Sequence, residues 1–232
     1  MILDMSPTGR GAIARVEFTN DADRDIPYEV QMMRGDISPT GELTLVPADE
    51  DFLVFPPQVL IEANSQQVFR VQYLADKPLA KSEIYYLAIR QIPVEFEPGV
   101  NQVQVVINYN VLVNVVPPGS SPEPVVRQAS YIERAQSTEG LTEDQSPEVV
   151  PVEKGVMVDL GNDGTRYFFA SDAKWLISGK TASGADLEMR LEGKELSKYT
   201  GVGVVGPGKL RQFFFPTEEP VRQDTLKVSV EL

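Results

Sequence analysis

The sequence predicts an all-β protein made of two β-sandwich domains. Short segments rich in Val, Ile, Tyr and Phe recur about every ten residues, and Gly, Pro, Asn and Asp separate them. The chain has 232 residues, more than a typical single domain. A Pro-Pro-Gly-Ser-Ser-Pro run at 117–122 divides the segments into two groups. We therefore expect one domain at 1–117 and a second at 118–232.

The first group contains seven candidate strands. Between the second and the third, the stretch 36–41 supplies the Pro and Gly that a chain reversal needs. Seven strands in about 117 residues fit an immunoglobulin-like sandwich. The predicted strands are Ala12–Phe18, with an earlier piece at Ile2–Met5, then Tyr28–Met33, Glu42–Val46, Phe52–Phe55, Gln67–Leu74, Ile84–Gln91 and Gln102–Val116.

The second group opens with a polar, acidic stretch near 134–150, which predicts a mobile loop. The sequence Gly-Asn-Asp-Gly at 161–164 predicts a hairpin turn between the first two strands of this group. No long helix is predicted. The strands expected here are Gly155–Leu160, Thr165–Ala170, Trp175–Ser178, Asp186–Leu191, Leu210–Phe215 and Thr225–Leu232.

The composition excludes several classes of function. The sequence has no Cys and no His, which removes His general bases, Cys nucleophiles and His or Cys zinc sites. The net charge of -13 disfavours nucleic acid as a partner. No apolar run approaches the length of a membrane span, so we expect no direct membrane insertion. We expect no enzyme activity, no cofactor and no metal.

The predicted strand at 102–116 is unusually long. Its odd positions from Val103 to Val115 are all apolar, whereas the even positions include Gln104 and three Asn residues. Strands average about 5 or 6 residues, so part of this one would expose unpaired backbone groups beside an apolar row. Addition of this strand to a partner is one interpretation. A long strand buried in the sandwich is the other, and the residues alone leave both open.

Four passages resemble the first domain of the periplasmic chaperones of chaperone-usher pilus systems. The run 51–59, Asp-Phe-Leu-Val-Phe-Pro-Pro-Gln-Val, and Gln-Val-Phe-Arg-Val at 67–71 resemble one family segment. The passage 85–93, Tyr-Tyr-Leu-Ala-Ile-Arg-Gln-Ile-Pro, is similar to the family's "Y..n.R.IP" signature. Asn20 with Pro-Tyr-Glu-Val-Gln at 27–31 resembles the entry to its second strand. The resemblance covers residues 3–117, and Pro56 and Pro93 in it are expected to be structural.

The resemblance implies two immunoglobulin-like domains in an L arrangement. It also implies that the last strand of the first domain completes a pilus subunit by donor-strand complementation, an established form of strand addition. The residues that would supply this donor row are Val103, Val105, Ile107 and Tyr109. A basic pair would hold the carboxyl terminus of the subunit.

The sequence departs from the family at that basic pair. Leu112 stands where the family has Lys, and Val116 replaces the Arg expected before the first linker proline. Only Arg10 could serve as a carboxylate anchor, through a charge-assisted hydrogen bond. A solvated arginine at a strand end is the simpler interpretation. The sequence therefore predicts a divergent branch whose carboxylate anchoring is weakened or relocated.

Three other features have structural explanations. Arg90 lies in an apolar strand, and we expect it to be structural, paired with Glu83 or another carboxylate. The Gly-x-Gly-x-x-Gly run at 201–206 is followed by Pro-Gly, so no helix can present its N-terminus to a phosphate. The acidic run 21–25 lacks the Gly and the distal Glu of a calcium loop.

The resulting hypothesis is a periplasmic chaperone without catalysis. It binds pilus or fimbrial subunits and delivers them to an outer-membrane usher, and its free strand allows a self-capping dimer. The signal peptide would be absent from this sequence. The alternative is a pilus structural subunit or adhesin, which would carry a donor extension at the N-terminus. A carbohydrate-active enzyme or sugar-binding module would need aromatic platforms, and the sequence has a single Trp.

Overall fold

The structure is a computed structural model that describes residues 2–74, 78–93, 106–135 and 152–232. The chain divides into two compact units, Met1–Ile37 with Leu43–Ser120, and Ser38–Glu42 with Ser121–Leu232. In both units nearly all of the regular secondary structure is β-strand, so the all-β prediction is confirmed.

In the part of it that the structure describes, the first unit has nine strands in two sheets. One sheet has the order β1-β9-β8-β3-β4, with β6 also paired to β3, and the other has the order β2-β7-β5. Strand β9 pairs antiparallel with β8, whereas β1 pairs parallel with β9. The strands are β1 (Ile2–Met5), β2 (Ile13–Asn20), β3 (Ile26–Ile37), β4 (Leu43–Pro47), β5 (Phe52–Phe55), β6 (Gln58–Ile61), β7 (Ser65–Tyr73), β8 (Glu83–Gln91) and β9 (Asn108–Val115).

The core of this unit follows from the two-residue period of its strands. Val16 on β2 lies opposite Phe69 on β7, and both are buried. In the facing sheet, Leu87 on β8 lies opposite Val111 on β9. The side chains that point inward from the two sheets form one cluster, whose fully buried members include Val16, Phe69, Val71, Tyr85, Leu87, Ile89, Val113 and Val115.

In its described residues, the second unit has eight strands and one short α-helix. Its sheets have the orders β10-β11-β16, β14-β13-β17 and β12-β15. The elements are β10 (Pro124–Ala135), β11 (Val152–Asn162), β12 (Phe168–Phe169), β13 (Lys174–Lys180), β14 (Asp186–Leu191), α1 (Gly193–Thr200), β15 (Val204–Val205), β16 (Leu210–Pro216) and β17 (Lys227–Glu231). Trp175, Ile177, Leu160 and Phe215 are at the centre of its core.

The structure corrects two expectations for this unit and adds two elements. The sequence does not predict β10 or the helix α1, and residues 134 and 135 belong to β10 rather than to a loop. The rest of that predicted mobile segment lies outside the described residues. The predicted hairpin turn at 161–164 is wrong, because β11 pairs with β10 and β16 while β12 pairs with β15.

Asn162 explains why no hairpin forms there. Its side chain is buried and donates from Nδ2 to the carbonyl oxygens of Arg166 and Val205, at 2.8 and 3.1 Å. Its Oδ1 accepts from the backbone N-H of Gly164 at 3.0 Å. These bonds direct the chain away from β11, so the segment with turn residues does not return along the same sheet.

Candidate functional site

Strand β9 has one neighbour along its whole length and another along only half of it. Pairing with β8 runs from Arg90 opposite Asn108 to Glu83 opposite Val115. Pairing with β1 begins only at Ile2, opposite Leu112, and ends at Val115. Among the described residues, no strand therefore lies beside the outer edge of β9 from residue 108 to residue 111.

The direction of the backbone groups on this edge can be deduced from one hydrogen bond. The N-H of Val116 donates to the carbonyl of Met5 at 2.7 Å, so the even-numbered residues of the strand turn their backbone groups toward β1. Backbone direction alternates along a strand. Asn108 and Asn110 therefore present their N-H and C=O groups to the open edge. In agreement, the N-H of Ile107 points the other way, to Oε1 of Gln91 at 3.5 Å.

Burial falls steadily from the end of β9 to its beginning. Leu112 to Val115 are buried and Val111 is half-buried, whereas Asn108 to Asn110 are exposed. The preceding residues are apolar and exposed as well. Val106, Ile107 and Tyr109 expose 40%, 48% and 41% of their surface, respectively. The apolar row that forms part of the core at Val113 therefore continues into solvent through Tyr109 to Ile107.

Tyr109 lies where this row leaves the core. Its ring packs edge-on against Phe18 of β2, with ring centroids 5.0 Å apart. Phe18 in turn contacts Tyr28 and Phe69. Burial raises the pKa of the Tyr28 phenol, and the nearby Tyr109 and Asp21 raise it further. Tyr109 is thus held by the unit's own core, so it is less free for a partner than Ile107.

The predicted donor row is only partly described. Val103 and Val105 lie outside the described residues, and the described part of β9 begins at Asn108 rather than at residue 102. Ile107 and Tyr109 lie on the open edge as exposed apolar residues. The exposure of Val106 and the edge-facing backbone of Asn108 and Asn110 are not predicted from the sequence. Their role is shown only by the position at which pairing with β1 begins, opposite Leu112, and the residue pattern does not give that position.

The predicted carboxylate anchor Arg10 lies in a short 3-10 turn, Gly9–Ala12, before β2, and it is exposed. Leu112, at the position of the missing Lys, is buried. Its neighbour on the same face, Asn114, is also buried and donates from Nδ2 to Oδ1 of Asp4 at 3.3 Å. The face of β9 that carries position 112 is therefore buried at residues 112 and 114.

Glu83 is not the partner of Arg90, and pairing with another carboxylate stays a prediction. Arg90 donates from Nη2 to Sδ of Met33, at 3.9 Å. The carboxylate of Glu83 instead accepts a hydrogen bond from Tyr85, at 2.5 Å, and lies 3.4 Å from Nη2 of Arg34. The reason is strand direction: Glu83 and Arg90 are at opposite ends of β8, and residue 83 has the parity of Tyr85, not of Arg90.

Arg34 is the centre of this polar cluster at the other end of β8. Its Nη2 lies 2.7 Å from Oδ2 of Asp51 and donates to the hydroxyl of Tyr85 at 2.9 Å. Burial raises the pKa of Tyr85 far above its usual range, and the hydrogen bond to Glu83 raises it further. Burial also raises the pKa of Tyr73, with Glu83 adding to the effect. The cluster holds the phenols protonated.

The two prolines expected to be structural lie at the ends of strands. Pro56 follows β5, after a cis peptide bond with Phe55. Pro93 follows β8 and is exposed, and the preceding Ile92 donates its N-H to the carbonyl of Pro27 at 2.9 Å. Their structural role stays a prediction.

The described part of the chain contains no group of acidic side chains placed to hold a metal ion. The glycine-rich run at 201–206 leads from α1 into β15, with positive φ at Gly201 and Gly203. None of the helices in the described ranges is long and apolar enough to cross a membrane.

The fold places the protein in a class that has two β-sandwich domains. Comparison with solved structures supports this assignment. A chain of the CsuC–CsuE chaperone–tip adhesion subunit pre-assembly complex, from the archaic chaperone-usher Csu pili of Acinetobacter baumannii, is similar over 99% of this chain and 94% of its own, with a TM-score of 0.54 and 12% identity. The class 5 fimbriae chaperone CfaA is similar over 100% and 96%, with a TM-score of 0.53 and 12% identity.

A chain of the Salmonella enterica SafA pilin–SafB chaperone complex is also similar, over 99% of this chain and 92% of its own, with a TM-score of 0.51 and 16% identity. At sequence identities of 12% to 16%, this similarity concerns the fold alone. It confirms the prediction of immunoglobulin-like β-sandwich domains. A comparison with curated protein sequences finds no significant match.

Residues 11–121 match the family described as pili and flagellar-assembly chaperones, PapD N-terminal domain. The first domain of the chain therefore belongs to this family of pilus-assembly chaperones. The family is one of chaperones without catalytic activity, so the prediction that this protein is not an enzyme is confirmed. A chaperone role follows from membership.

Proposed function

We propose that this chaperone binds pilus or fimbrial subunits by adding the open edge of β9 to an incomplete subunit. The single observation that carries the proposal is that edge. Asn108 and Asn110 present backbone hydrogen-bonding groups there, beside the exposed apolar side chains of Val106 and Ile107. An edge with both features offers main-chain pairing for affinity and alternate side chains for fit.

The solved structures support the class of partner. One similar chain comes from a complex of a chaperone with a tip adhesion subunit, and another from a complex of a pilin with a chaperone. By extension, the subunits bound here are pilins or tip subunits whose own sheet lacks a strand. Val103 and Val105 would lengthen the donor row, and Arg10 would bind the subunit's terminal carboxylate. Delivery to an outer-membrane usher and a periplasmic location complete the proposal.

Coexpression with small β-rich subunits encoded nearby tests the side-chain part of this proposal. The expected product is a 1:1 complex that survives size-exclusion chromatography. Ile107→Lys places a charge in the apolar row and is expected to weaken binding at least about tenfold. The matched control is Ile13→Lys, because Ile13 on the outer face of β2 is similarly exposed, at 39%, but lies on the other sheet.

A second variant tests main-chain pairing. Asn108→Pro removes an N-H that points to the open edge and leaves the β8 ladder intact, since proline is tolerated on edge strands. It should abolish the complex while the thermal unfolding midpoint stays close to that of the unaltered protein. The proposal is wrong if no subunit binds, or if Ile107→Lys and Ile13→Lys bind equally well. Osmotic-shock fractionation of the native host, with the complete gene, tests the location.

A further inference from the structure

Among the described residues, strand β10 is the edge strand of its sheet, since β11 pairs with one side of it and the sheet order ends there. Its twelve residues offer a long row of backbone groups on the other side. Unprotected edges of this kind pair with strands of other chains. If β10 were accessible, it would therefore be a second site for strand addition, and the protein would tend to self-associate through it.

Both ends of β10 have ordinary protection. At the beginning, Pro124 has no N-H to donate, and the pairing register shifts between Val126 and Gln128, which marks a bulge. At the far end Glu133 and Arg134 bring charges to the strand. The stretch between them, residues 129–132, is Ala-Ser-Tyr-Ile and contains no proline and no charge.

Gln223 covers this unprotected stretch. Its Nε2 donates to the carbonyl of Ala129 at 2.8 Å, and its Oε1 accepts from the N-H of Tyr131 at 3.0 Å. In a parallel ladder, one residue of a neighbouring strand makes the same two bonds, through its own N-H and C=O, to residues on either side of its partner. The side-chain amide of Gln223 thus occupies the position of a backbone amide opposite Ser130.

The loop that carries Gln223 has its own bonds. Arg222 forms an ion pair with Asp224 at 2.8 Å, and the hydroxyl of Thr225 donates to the carbonyl of Arg222 at 2.9 Å. The same hydroxyl accepts from the N-H of Lys180, at 2.9 Å, which ties the loop to β13. These bonds do not involve the Gln223 side chain, so its removal should leave the loop in place and take away the partner of the Ala129 carbonyl and of the Tyr131 N-H.

We propose that Gln223 is an edge-blocking residue, which prevents a second copy of this chain from adding a strand to β10 at Ala129–Tyr131. While Gln223 occupies this position, another chain can pair only with edges other than the middle of β10. It rests only on contacts within the second unit, so it stands whether or not β9 binds pilus subunits.

The test compares Gln223→Ala with the unaltered protein by sedimentation equilibrium and by amide hydrogen exchange. The variant is expected to self-associate at concentrations where the unaltered protein does not. At low concentration the amide of Tyr131 should exchange at least about tenfold faster, because it has lost its acceptor. At high concentration the exchange should slow again, as a second copy supplies a new acceptor. A merely structural role would not produce this dependence on concentration.

Two controls make the result specific. Gln66→Ala removes an exposed glutamine of β7 that bonds to Thr19, and it should leave association unchanged. Tyr131→Pro, added to Gln223→Ala, removes the N-H that the second copy would use and should restore the original state of association. The proposal is overturned if Gln223→Ala lowers the unfolding temperature without any association. It is also overturned if the new association protects the amides of Asn108 and Asn110 instead of Tyr131.

Discussion

The ring of Tyr109 meets the ring of Phe18 at an angle of 72°, and this contact joins the exposed half of β9 to the core of the first unit. Phe18 belongs to β2, in the opposite sheet. The pair therefore bridges the two sheets at the point where β1 no longer covers β9. It fixes the strand at the beginning of the segment that we propose binds a subunit.

A double-mutant cycle measures the strength of this contact. Phe18→Ala should lower the free energy of unfolding by about 2 to 3 kcal/mol, because Phe18 contacts three other rings. Tyr109→Ala should cost about 1 kcal/mol, since the ring is half exposed. The coupling between the two is expected at about 1 kcal/mol from urea unfolding of all four proteins. Additive effects would show that the rings do not stabilise each other.

Alkaline pH should destabilise the protein through Tyr85. Its pKa is raised in the folded state by burial and by Glu83, whereas an unfolded tyrosine releases its proton near about pH 10. The folded state thus retains a proton that the unfolded state loses, so this stabilisation is complete below about pH 10 and declines as the pH rises above it.

Tyr85→Phe should therefore flatten the loss of stability between about pH 10 and pH 11, measured by urea unfolding at each pH. The loss should not vanish, because the pKa values of Tyr28 and Tyr73 are raised as well. Near neutral pH the same variant should cost about 1 to 2 kcal/mol, since Glu83 loses a donor and Arg34 loses an acceptor. Identical slopes in the two proteins would contradict the assignment to Tyr85.

Asn20 should be among the most sensitive polar residues. It is buried, and its Nδ2 donates to the carbonyl oxygens of Arg24, Ile61 and Glu62. Asn20→Ala leaves these acceptors without that donor, and we expect a loss of about 3 kcal/mol in a thermal or urea unfolding experiment. Asn110→Ala is the control, since this exposed residue of β9 should change stability by less than about 0.5 kcal/mol.

Arg10 can be tested with two forms of one subunit. If the guanidinium binds the terminal carboxylate, Arg10→Ala should weaken a subunit with a free carboxyl terminus about tenfold and leave a C-terminally amidated subunit unchanged. Isothermal titration of both forms gives the difference. If the unaltered protein and Arg10→Ala bind the subunit with the free carboxyl terminus equally well, Arg10 is a solvated arginine before β2. Binding of the subunit would then depend on the strand alone.

The residue pattern predicts those strands whose two faces differ sharply in hydrophobicity. In β8 and β7 the inward residues are aromatic or branched, so their alternation is plain in the sequence. Strand β10 is harder to predict because most of its residues are half exposed, and it begins at a proline directly after the linker-like run. Helix α1 has eight residues and buries only Leu196 and Thr200, too few for a helical period to be visible.

The apolar side chains of the candidate site could be predicted from the sequence, but the position of the open edge could not. Ile107 and Tyr109 stand in an apolar row that the sequence displays. The open edge, however, depends on where β1 starts relative to Leu112, which is a matter of register between segments far apart in the chain. The role of Gln223 is similarly hidden, because it depends on a contact with a residue 92 positions away.

Strand β9 also has a thermodynamic consequence for any partner it binds. Residues 108–111 are already held extended, by β8 on one side and by the buried residues that follow them. The loss of backbone entropy that ordering these residues would cost is thus incurred when the first unit folds, rather than when a subunit arrives. In the proposed complex, any backbone that becomes ordered beside residues 108–111 belongs to the subunit, so the rate of binding should depend more on the flexibility of the subunit than on that of these residues.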